Sequence, residues 1–264
     1  MKKKIGFIII IIVILSSCDS DLWHIFRQLD NRFDPENPYY KNLSIPRDGL
    51  EAEYLFNNDI NDTSGNNRNL TGTAGSYGED RFGTSAQALN FDGSTNYLLI
   101  PTTDIARFYL NEKSTLSFWI KPANTSVTIF SHSYDYDTDE GWEISVANFS
   151  SGSSIQLLDK GYSSGTYELD PAEPLSAMFT SGVWNHILIM NTGLEIEFYF
   201  NGGKSTTTFS SSNIDYGTED YFYIGAYDDE GTLTPSLSGV IDDIRIYNRN
   251  LTKEEISALL VLEN

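Results

Sequence analysis

The chain has 264 residues, with 37 acidic and 17 basic side chains and a formal net charge of −20 at pH 7. This charge argues against nucleic acid and anionic lipid surfaces as partners, because both are bound through basic patches. Aromatic residues make up 13% of the chain and there is a single cysteine, which indicates β structure without an intramolecular disulfide.

The N-terminus has the three parts of a secretory signal. Lys2, Lys3 and Lys4 form a basic start, residues 5–15 are apolar, and small residues follow. The apolar run would rise only about 16 Å as a helix, whereas a bilayer core is about 30 Å thick. Residues 1–17 are therefore predicted to be a cleaved signal peptide, and the alternative is an uncut anchor helix.

A sequence at the end of this run indicates lipidation. Leu15-Ser16-Ser17-Cys18 resembles the lipobox of bacterial lipoproteins, which implies cleavage before Cys18 and acylation of that residue. Two or more acyl chains hold a protein firmly at a membrane. Cleavage would remove three lysines and no acid, changing the net charge from −20 to −23. We expect a lipid-anchored protein of the bacterial cell envelope, in the outer membrane, with exposure at the cell surface left open.

Residues 18–47 are predicted to be the lipidated N-terminus and a tether. Residues 22–29 can form a short amphipathic helix, after which Pro35, Pro38 and Pro46 favour extended backbone. A domain is predicted from residue 48 to residue 264.

This domain is predicted to be built from short strands separated by turn residues. The predicted strands are 51–56, 86–91, 97–100, 115–121, 127–131, 142–147, 155–158, 167–169, 184–190, 194–200, 222–225 and 240–247. Asp92-Gly93-Ser94 and Asn201-Gly202-Gly203 are turn signals. Thr252 and Glu255 form a capping box that predicts a helix over 253–261. This order indicates two packed antiparallel sheets with one terminal helix.

Several of these segments, in this order, resemble the laminin-G-like branch of the concanavalin A-like lectin/glucanase superfamily. They are Gly49–Phe56, Asp80–Gly83, Leu89–Gly93, Leu116–Pro122, Trp184–His186, Phe198–Gly202 and, most diagnostic, Gly239–Arg249. The resemblance implies an all-β, antiparallel jelly-roll β-sandwich with a short C-terminal helix. It also implies a concave face and, in many members, a bound calcium ion.

No catalytic site is predicted. Glu195 and Glu197 are the closest match to the carboxylate pair of the glucanases, but a third acid is missing, so solvated strand charges are the better interpretation. His24, His132 and His186 do not have metal-ligand spacing, and His186 is interpreted as structural. The chain is therefore not expected to be an enzyme.

A structural Ca²⁺ ion is predicted between Asp62 and Asp242. The resemblance places the Asp62 loop near the last strand, which brings Asp242 or Asp243. Two buried carboxylates side by side repel unless a cation lies between them. The alternative is that Asp62 caps its own turn. The acidic loop 135–141 lacks the final glutamate of a calcium loop, because Val146 stands there.

The predicted function is glycan binding without catalysis. Flat aromatic rings suit the C–H faces of sugars, and we select Trp119, Tyr134, Tyr136 and Trp142 as ligand contacts, with Tyr216 and Tyr227 on other loops. For Trp119 the alternative is a core position under a covering loop. The partner is a glycan or an envelope or extracellular protein. The competing functions are protein–protein interaction, a structural envelope role and, more weakly, glycoside hydrolysis.

Overall fold

A computed structural model describes residues 43–100, 113–124, 126–135, 140–149, 152–159, 166–168, 181–210, 222–229 and 232–262. The signal peptide, Cys18 and the tether up to residue 42 lie outside the described residues, as does the helix predicted over 22–29. Within the described ranges, no helix has the length and apolar character needed to cross a bilayer.

The described strands form two large antiparallel sheets and one small hairpin. The eight-stranded sheet contains β1 (Leu50–Tyr54), β3 (Tyr77–Gly78), β4 (Ala88–Asp92), β6 (Ser114–Pro122), β11 (Asn185–Asn191), β12 (Glu195–Phe200), β13 (Gly203–Ser210) and β17 (Ser238–Tyr247). The seven-stranded sheet contains β2 (Thr71–Thr73), β5 (Tyr97–Ile100), β7 (Val127–Asp135), β8 (Glu140–Phe149), β9 (Gly152–Asp159), β10 (Thr166–Glu168) and β14 (Phe222–Ile224). The hairpin pairs β15 (Ala226–Asp229) with β16 (Thr232–Pro235).

The strand order confirms the predicted jelly-roll sandwich. One sheet runs β13-β12-β11-β6-β17-β4-β3, with β1 also paired to β17, and the other runs β10-β9-β8-β7-β14-β5-β2. Sequence neighbours such as β4 and β5 lie in different sheets, so the Asp92-Gly93 turn carries the chain from one layer to the other. The first and last strands pair, as predicted.

Period-two alternation places one face of each sheet in the core. On β6, Leu116, Phe118 and Ile120 are fully buried in the main hydrophobic cluster. Phe118 packs edge-to-face on Phe130 of the opposite sheet, with ring centroids 4.9 Å apart. The two inner faces therefore form one continuous core, and each sheet keeps one outer face.

The outer face of the eight-stranded sheet is covered by helix α1 (Lys253–Val261). The predicted capping box is present, because Thr252 and Glu255 exchange side-chain to backbone hydrogen bonds. The covering creates a second hydrophobic cluster, whose buried members are Leu50, Leu188, Met190, Tyr247, Leu251, Ile256 and Leu259. Ile45, just before the first strand, also packs against this cluster.

Five strands were not predicted: β2, β3, β13, β15 and β16. β2 and β3 are only two or three residues long and contain glycine. β13 is rich in Thr and Ser and carries little hydrophobic alternation, although the Asn201-Gly202 turn before it was predicted. That turn has positive φ at both residues, as a tight β-hairpin requires.

Candidate functional site

A buried group of charged side chains lies on the outer face of the eight-stranded sheet. A β-bulge in β17 between Asp242 and Arg245 interrupts the alternation, and Asp243 takes a left-handed conformation with φ of 51°. The guanidinium of Arg81 contacts the carboxylate of Asp243 and lies 3.5 Å from that of Asp242. Arg245 donates to Glu53 at 2.9 Å. We call these five residues the buried charge cluster.

At Asp242, where a calcium ion was predicted, the structure places the guanidinium of Arg81. Two adjacent buried carboxylates do need a positive charge, but Arg81 and Arg245 supply it from the chain itself. A Ca²⁺ ion ligated by Asp242 would lie next to the Arg81 guanidinium, which repels it. Among the residues that the structure describes, no three His, Cys, Asp or Glu side chains are grouped to hold a metal.

The other predicted ligand, Asp62, caps its own loop, as the alternative proposed. One carboxylate oxygen accepts from the backbone N–H groups of Glu53 and Ser64, and the other accepts from Arg68 N–H and the Ser64 hydroxyl. Burial alone would raise the pKa of Asp62, but these donors outweigh it and hold the pKa below its ordinary value. Oxygens already engaged by donors do not suit a calcium ion.

Within the buried charge cluster, Asp242 is the acid whose pKa is raised. Burial and the neighbouring negative charge of Asp243 raise its pKa well above the ordinary value, and the Arg81 charge only partly compensates. One oxygen of Asp242 accepts from the Asp243 backbone N–H at 2.7 Å. The five residues of the cluster are thus two arginines and three acids, linked by ion pairs.

Trp119 is buried and is not available to a ligand, which corrects that prediction. Its side chain is 1% exposed on the outer face of the eight-stranded sheet, where its indole N–H donates to the Leu259 carbonyl of α1. It packs beside the ring of His186 at 5.1 Å and under the Arg81 guanidinium at 4.8 Å. The element that covers Trp119 is the C-terminal helix, whereas the sequence suggested a loop.

His186 has the structural role that was predicted. It is fully buried, and its Nε2 lies 2.9 Å from the Ser117 hydroxyl. Its Nδ1 has no hydrogen-bond partner, so the tautomer with the proton on Nε2 leaves only an acceptor unsatisfied. Burial, with the positive charges of Arg81 and Arg245, lowers the pKa of His186 to about 3.

Trp142 is also a core residue, which corrects its assignment as a ligand contact. It is fully buried between the sheets, where it stacks on His132 at 5.8 Å and meets the edge of Phe222 at 5.4 Å. Among the tyrosines, Tyr136 lies outside the described residues, as does the side chain of Tyr134 at the end of β7. Tyr216 is likewise outside them, and Tyr227 on β15 is half-buried.

The acid pair on β12 has the environment of surface charges. Glu195 is exposed, and Glu197 forms an ion pair with Lys204 at 2.7 Å. The hydroxyl of Tyr199 donates to the other oxygen of Glu197 at 2.9 Å. Both acids lie on the outer face of the eight-stranded sheet, beside the edge strand β13.

Two tyrosines lie together on the outer face of the seven-stranded sheet. On β5, Leu98 and Ile100 enter the core, and therefore Tyr97 and Leu99 face outward. On β14, Phe222 and Ile224 enter the core, and Tyr223 faces outward. The rings of Tyr97 and Tyr223 meet edge-to-face with centroids 6.5 Å apart, and both are half-buried. We call Tyr97, Leu99 and Tyr223 the tyrosine platform.

Polar residues border the tyrosine platform on both sides. Thr71 and Thr73 of β2 pair with Leu99 and Tyr97 and are exposed. On the other side, Ser131 pairs with Tyr223, and Glu143 pairs with Ser131. A single row of paired residues thus crosses the sheet from Thr71 through Leu99 and Tyr223 to Ser131 and Glu143.

The β15–β16 hairpin lies beside this face. The Ser131 hydroxyl donates to the carbonyl of Ala226 at 2.7 Å, and the Thr128 N–H donates to the Ser236 hydroxyl at 3.0 Å. Glu143 is only 4% exposed, and its carboxylate accepts a hydrogen bond from the Thr128 hydroxyl at 3.0 Å. Beside the hairpin, the described part of this face presents the half-buried tyrosine platform and the exposed threonines of β2.

The sequence prediction selected aromatic residues mainly on loops, and it did not include the tyrosine platform, whose residues lie on strands β5 and β14. Strand alternation in 97–100 separates Tyr97 from Leu98, but alternation alone does not say which of two apolar faces is outside. That choice depends on the partner strands, β14 and β2, and β2 carries no sequence signal of its own.

Comparison with known families matches residues 92–257 to a model described as the concanavalin A-like lectin/glucanases superfamily, laminin-G type. A search of curated protein sequences finds no significant match. Among solved structures, domain 4 of the arabinanase AbnA from Geobacillus stearothermophilus, in complex with arabinotriose, aligns with a TM-score of 0.59 and 20% identity. That alignment covers 80% of this chain and 98% of the other.

Two toxin domains are also similar in fold. The botulinum neurotoxin serotype D ligand-binding domain, in complex with N-acetylneuraminic acid, aligns with a TM-score of 0.57 at 17% identity, over 81% of this chain and 51% of that one. The binding domain of Paraclostridial mosquitocidal protein 1 has a TM-score of 0.58 at 19% identity, over 81% and 52%. This chain thus spans about half the length of these toxin domains.

Proposed function

Because the chain belongs to the concanavalin A-like lectin/glucanases superfamily, we propose that it is a carbohydrate-binding protein without catalytic activity. The observation that carries the proposal is the tyrosine platform, a pair of half-buried aromatic rings on the outer face of the seven-stranded sheet, which no helix of the described residues covers. Aromatic rings bind the apolar C–H faces of sugars, and neighbouring hydroxyl groups fix their orientation. The similarity to an arabinanase domain bound to arabinotriose is consistent with such a ligand.

The absence of catalysis is proposed from the environment of the acid pair. Retaining glycoside hydrolysis needs one ionised carboxylate and one protonated carboxyl about 5 Å apart, both facing the substrate. Glu197 is instead neutralised by Lys204, and this pair lies on the opposite sheet from the tyrosine platform. We expect no release of reducing sugar from any glycan that the protein binds, and no effect of Glu195→Gln or Glu197→Gln on binding.

The proposal is tested by binding of the purified protein to a glycan array, followed by titration with the glycan that binds. Tyr97→Ala and Tyr223→Ala together should weaken binding by at least about tenfold, which corresponds to about 1.4 kcal/mol. Tyr199→Ala is the matched control, because Tyr199 is also half-buried but lies on the eight-stranded sheet. Loss of binding in the control, or none in the double variant, would contradict the platform.

We also propose that the protein is exported and anchored by lipid at Cys18 in the bacterial envelope. The proposal is supported by the basic, apolar and small-residue order of the N-terminus and by its lipobox-like end. Growth with labelled palmitate should label the wild type and leave Cys18→Ala unlabelled. Label retained in Cys18→Ala would contradict the anchor without affecting the glycan proposal.

A further inference from the structure

The two sheets differ in their basic residues. Lys and Arg are found on the eight-stranded sheet, on α1 and in the connecting loops of the described chain. They are Arg47, Arg68, Arg81, Lys113, Lys121, Lys204, Arg245, Arg249 and Lys253. Within the described strands of the seven-stranded sheet and the β15–β16 hairpin, no residue is Lys or Arg.

The same strands contain several acids. They are Asp135, Glu140, Glu143, Asp159, Glu168, Asp228 and Asp229. Glu143 lies on the outer face next to Ser131, two strands from Tyr223. One oxygen of Asp228, on the hairpin, is buried without a hydrogen-bond partner. Of these acids, Glu143 is buried and Asp228 is half-buried, and they belong to a chain whose net charge is −20.

We propose that the tyrosine platform selects neutral glycans and rejects those with carboxylate or sulfate groups. The inference rests on the proposed function and narrows its ligand class. An anionic sugar bound here would lose hydration without gaining the guanidinium or ammonium partner that such groups require. It would also meet the field of a chain whose net charge is −20, whereas a neutral sugar brings hydroxyl groups, which both donate and accept hydrogen bonds.

The experiment compares two sets of immobilised polysaccharides with the purified protein. Arabinan, galactan, mannan and xyloglucan are the neutral probes, and polygalacturonate, alginate and hyaluronan are the acidic probes. We expect retention on at least one neutral probe and on no acidic one. Raising NaCl from about 50 to about 500 mM should change the neutral affinity by less than about twofold, because salt screens only charge interactions.

A gain-of-function variant tests the charge argument directly. Thr71→Lys with Thr73→Lys adds two ammonium groups at exposed positions beside the platform. This variant should acquire binding to at least one acidic probe that is lost at high salt, and its Gln counterpart, Thr71→Gln with Thr73→Gln, should not. Acidic binding by the Gln counterpart would overturn the charge argument.

The outcomes separate this inference from the proposed function. An acidic probe bound by the wild type and lost in Tyr97→Ala/Tyr223→Ala would overturn the neutral preference while the glycan site stands. Neutral binding that persists in that double variant would remove the platform from the account, and the inference with it. No binding to either set would overturn the proposed function itself.

Discussion

At the scale of single residues, the arginine at position 81 takes the place that the sequence suggested for a metal ion. The physical reasoning was sound, because Asp242 and Asp243 are adjacent and buried and need a nearby positive charge. The sequence did not reveal that Arg81, 161 positions away from Asp242, reaches this point. A contact over such a distance depends on the topology, which places the 79–87 loop beside the bulge of β17.

The two aspartates should respond differently to the loss of charge. Burial and the charge of Asp243 raise the pKa of Asp242, so removing its negative charge in Asp242→Asn should change the free energy of unfolding by less than about 1 kcal/mol. Asp243→Asn leaves Arg81 without its closest carboxylate and should cost about 3 kcal/mol. Asn accepts the left-handed conformation, so backbone strain does not explain the difference. Urea unfolding measures both free energies, and equal costs or the reverse order would contradict this difference between the two acids.

His186 should make the protein sensitive to acid. Its pKa is about 3 when folded and near 6.5 when unfolded, so at intermediate pH only the unfolded chain binds the proton. The free energy of unfolding should therefore fall as pH drops from about 6.5 toward 3, by up to about 1.4 kcal/mol per pH unit.

The raised pKa of Asp242 acts in the opposite direction, since it makes the folded state the one that binds the proton. Comparison of the wild type with His186→Gln isolates the histidine, because Asp242 is common to both. The stability of the wild type should decline relative to His186→Gln as pH is lowered. Parallel curves for the two proteins would show that His186 titrates normally.

At the scale of elements, α1 closes the outer face of the eight-stranded sheet and depends on its N-terminal cap. Thr252→Ala removes the side-chain acceptor for the Glu255 N–H and should lower the free energy of unfolding by about 1 kcal/mol. Ser257→Ala is the control, because its hydroxyl bonds only to the helix carbonyl of Lys253 in an exposed turn, and it should change stability by less than about 0.5 kcal/mol. Thermal unfolding of both variants measures the difference, and an equal effect would contradict the capping role.

Strands with strong alternation were predictable, and those held by their neighbours were not. The strand 97–100 was predicted with the bounds that the structure gives, and β17 within two residues, because buried aliphatic side chains recur in both. β2 is exposed along its length and exists because β5 offers it an edge. The site follows the same rule, since the burial of Trp119 and Trp142 depends on elements distant in sequence.

At the scale of the whole molecule, the sandwich has two unlike outer faces. On the eight-stranded sheet, the helix α1 covers the buried charge cluster, and the strands of this sheet contain Lys121, Lys204 and Arg245. The other presents the tyrosine platform with acids and no base in its described strands. Because of this difference, we propose that the glycan binds to the seven-stranded sheet.

The stability of the sandwich should not depend on calcium. Arg81 and Arg245 neutralise the acids of the β17 bulge, and Asp62 is satisfied by its own loop. The midpoint of thermal unfolding should therefore be the same with a chelator and with added CaCl₂. A midpoint that falls with the chelator and recovers on adding calcium would show that the ion contributes to the fold.

The most direct test is a crystal structure of the protein with a neutral oligosaccharide that it binds. The account predicts a sugar ring against Tyr97 and Tyr223, with its hydroxyls directed toward the Thr71 and Thr73 side of the platform. A sugar bound on the outer face of the eight-stranded sheet, or held through a lysine or arginine, would contradict it.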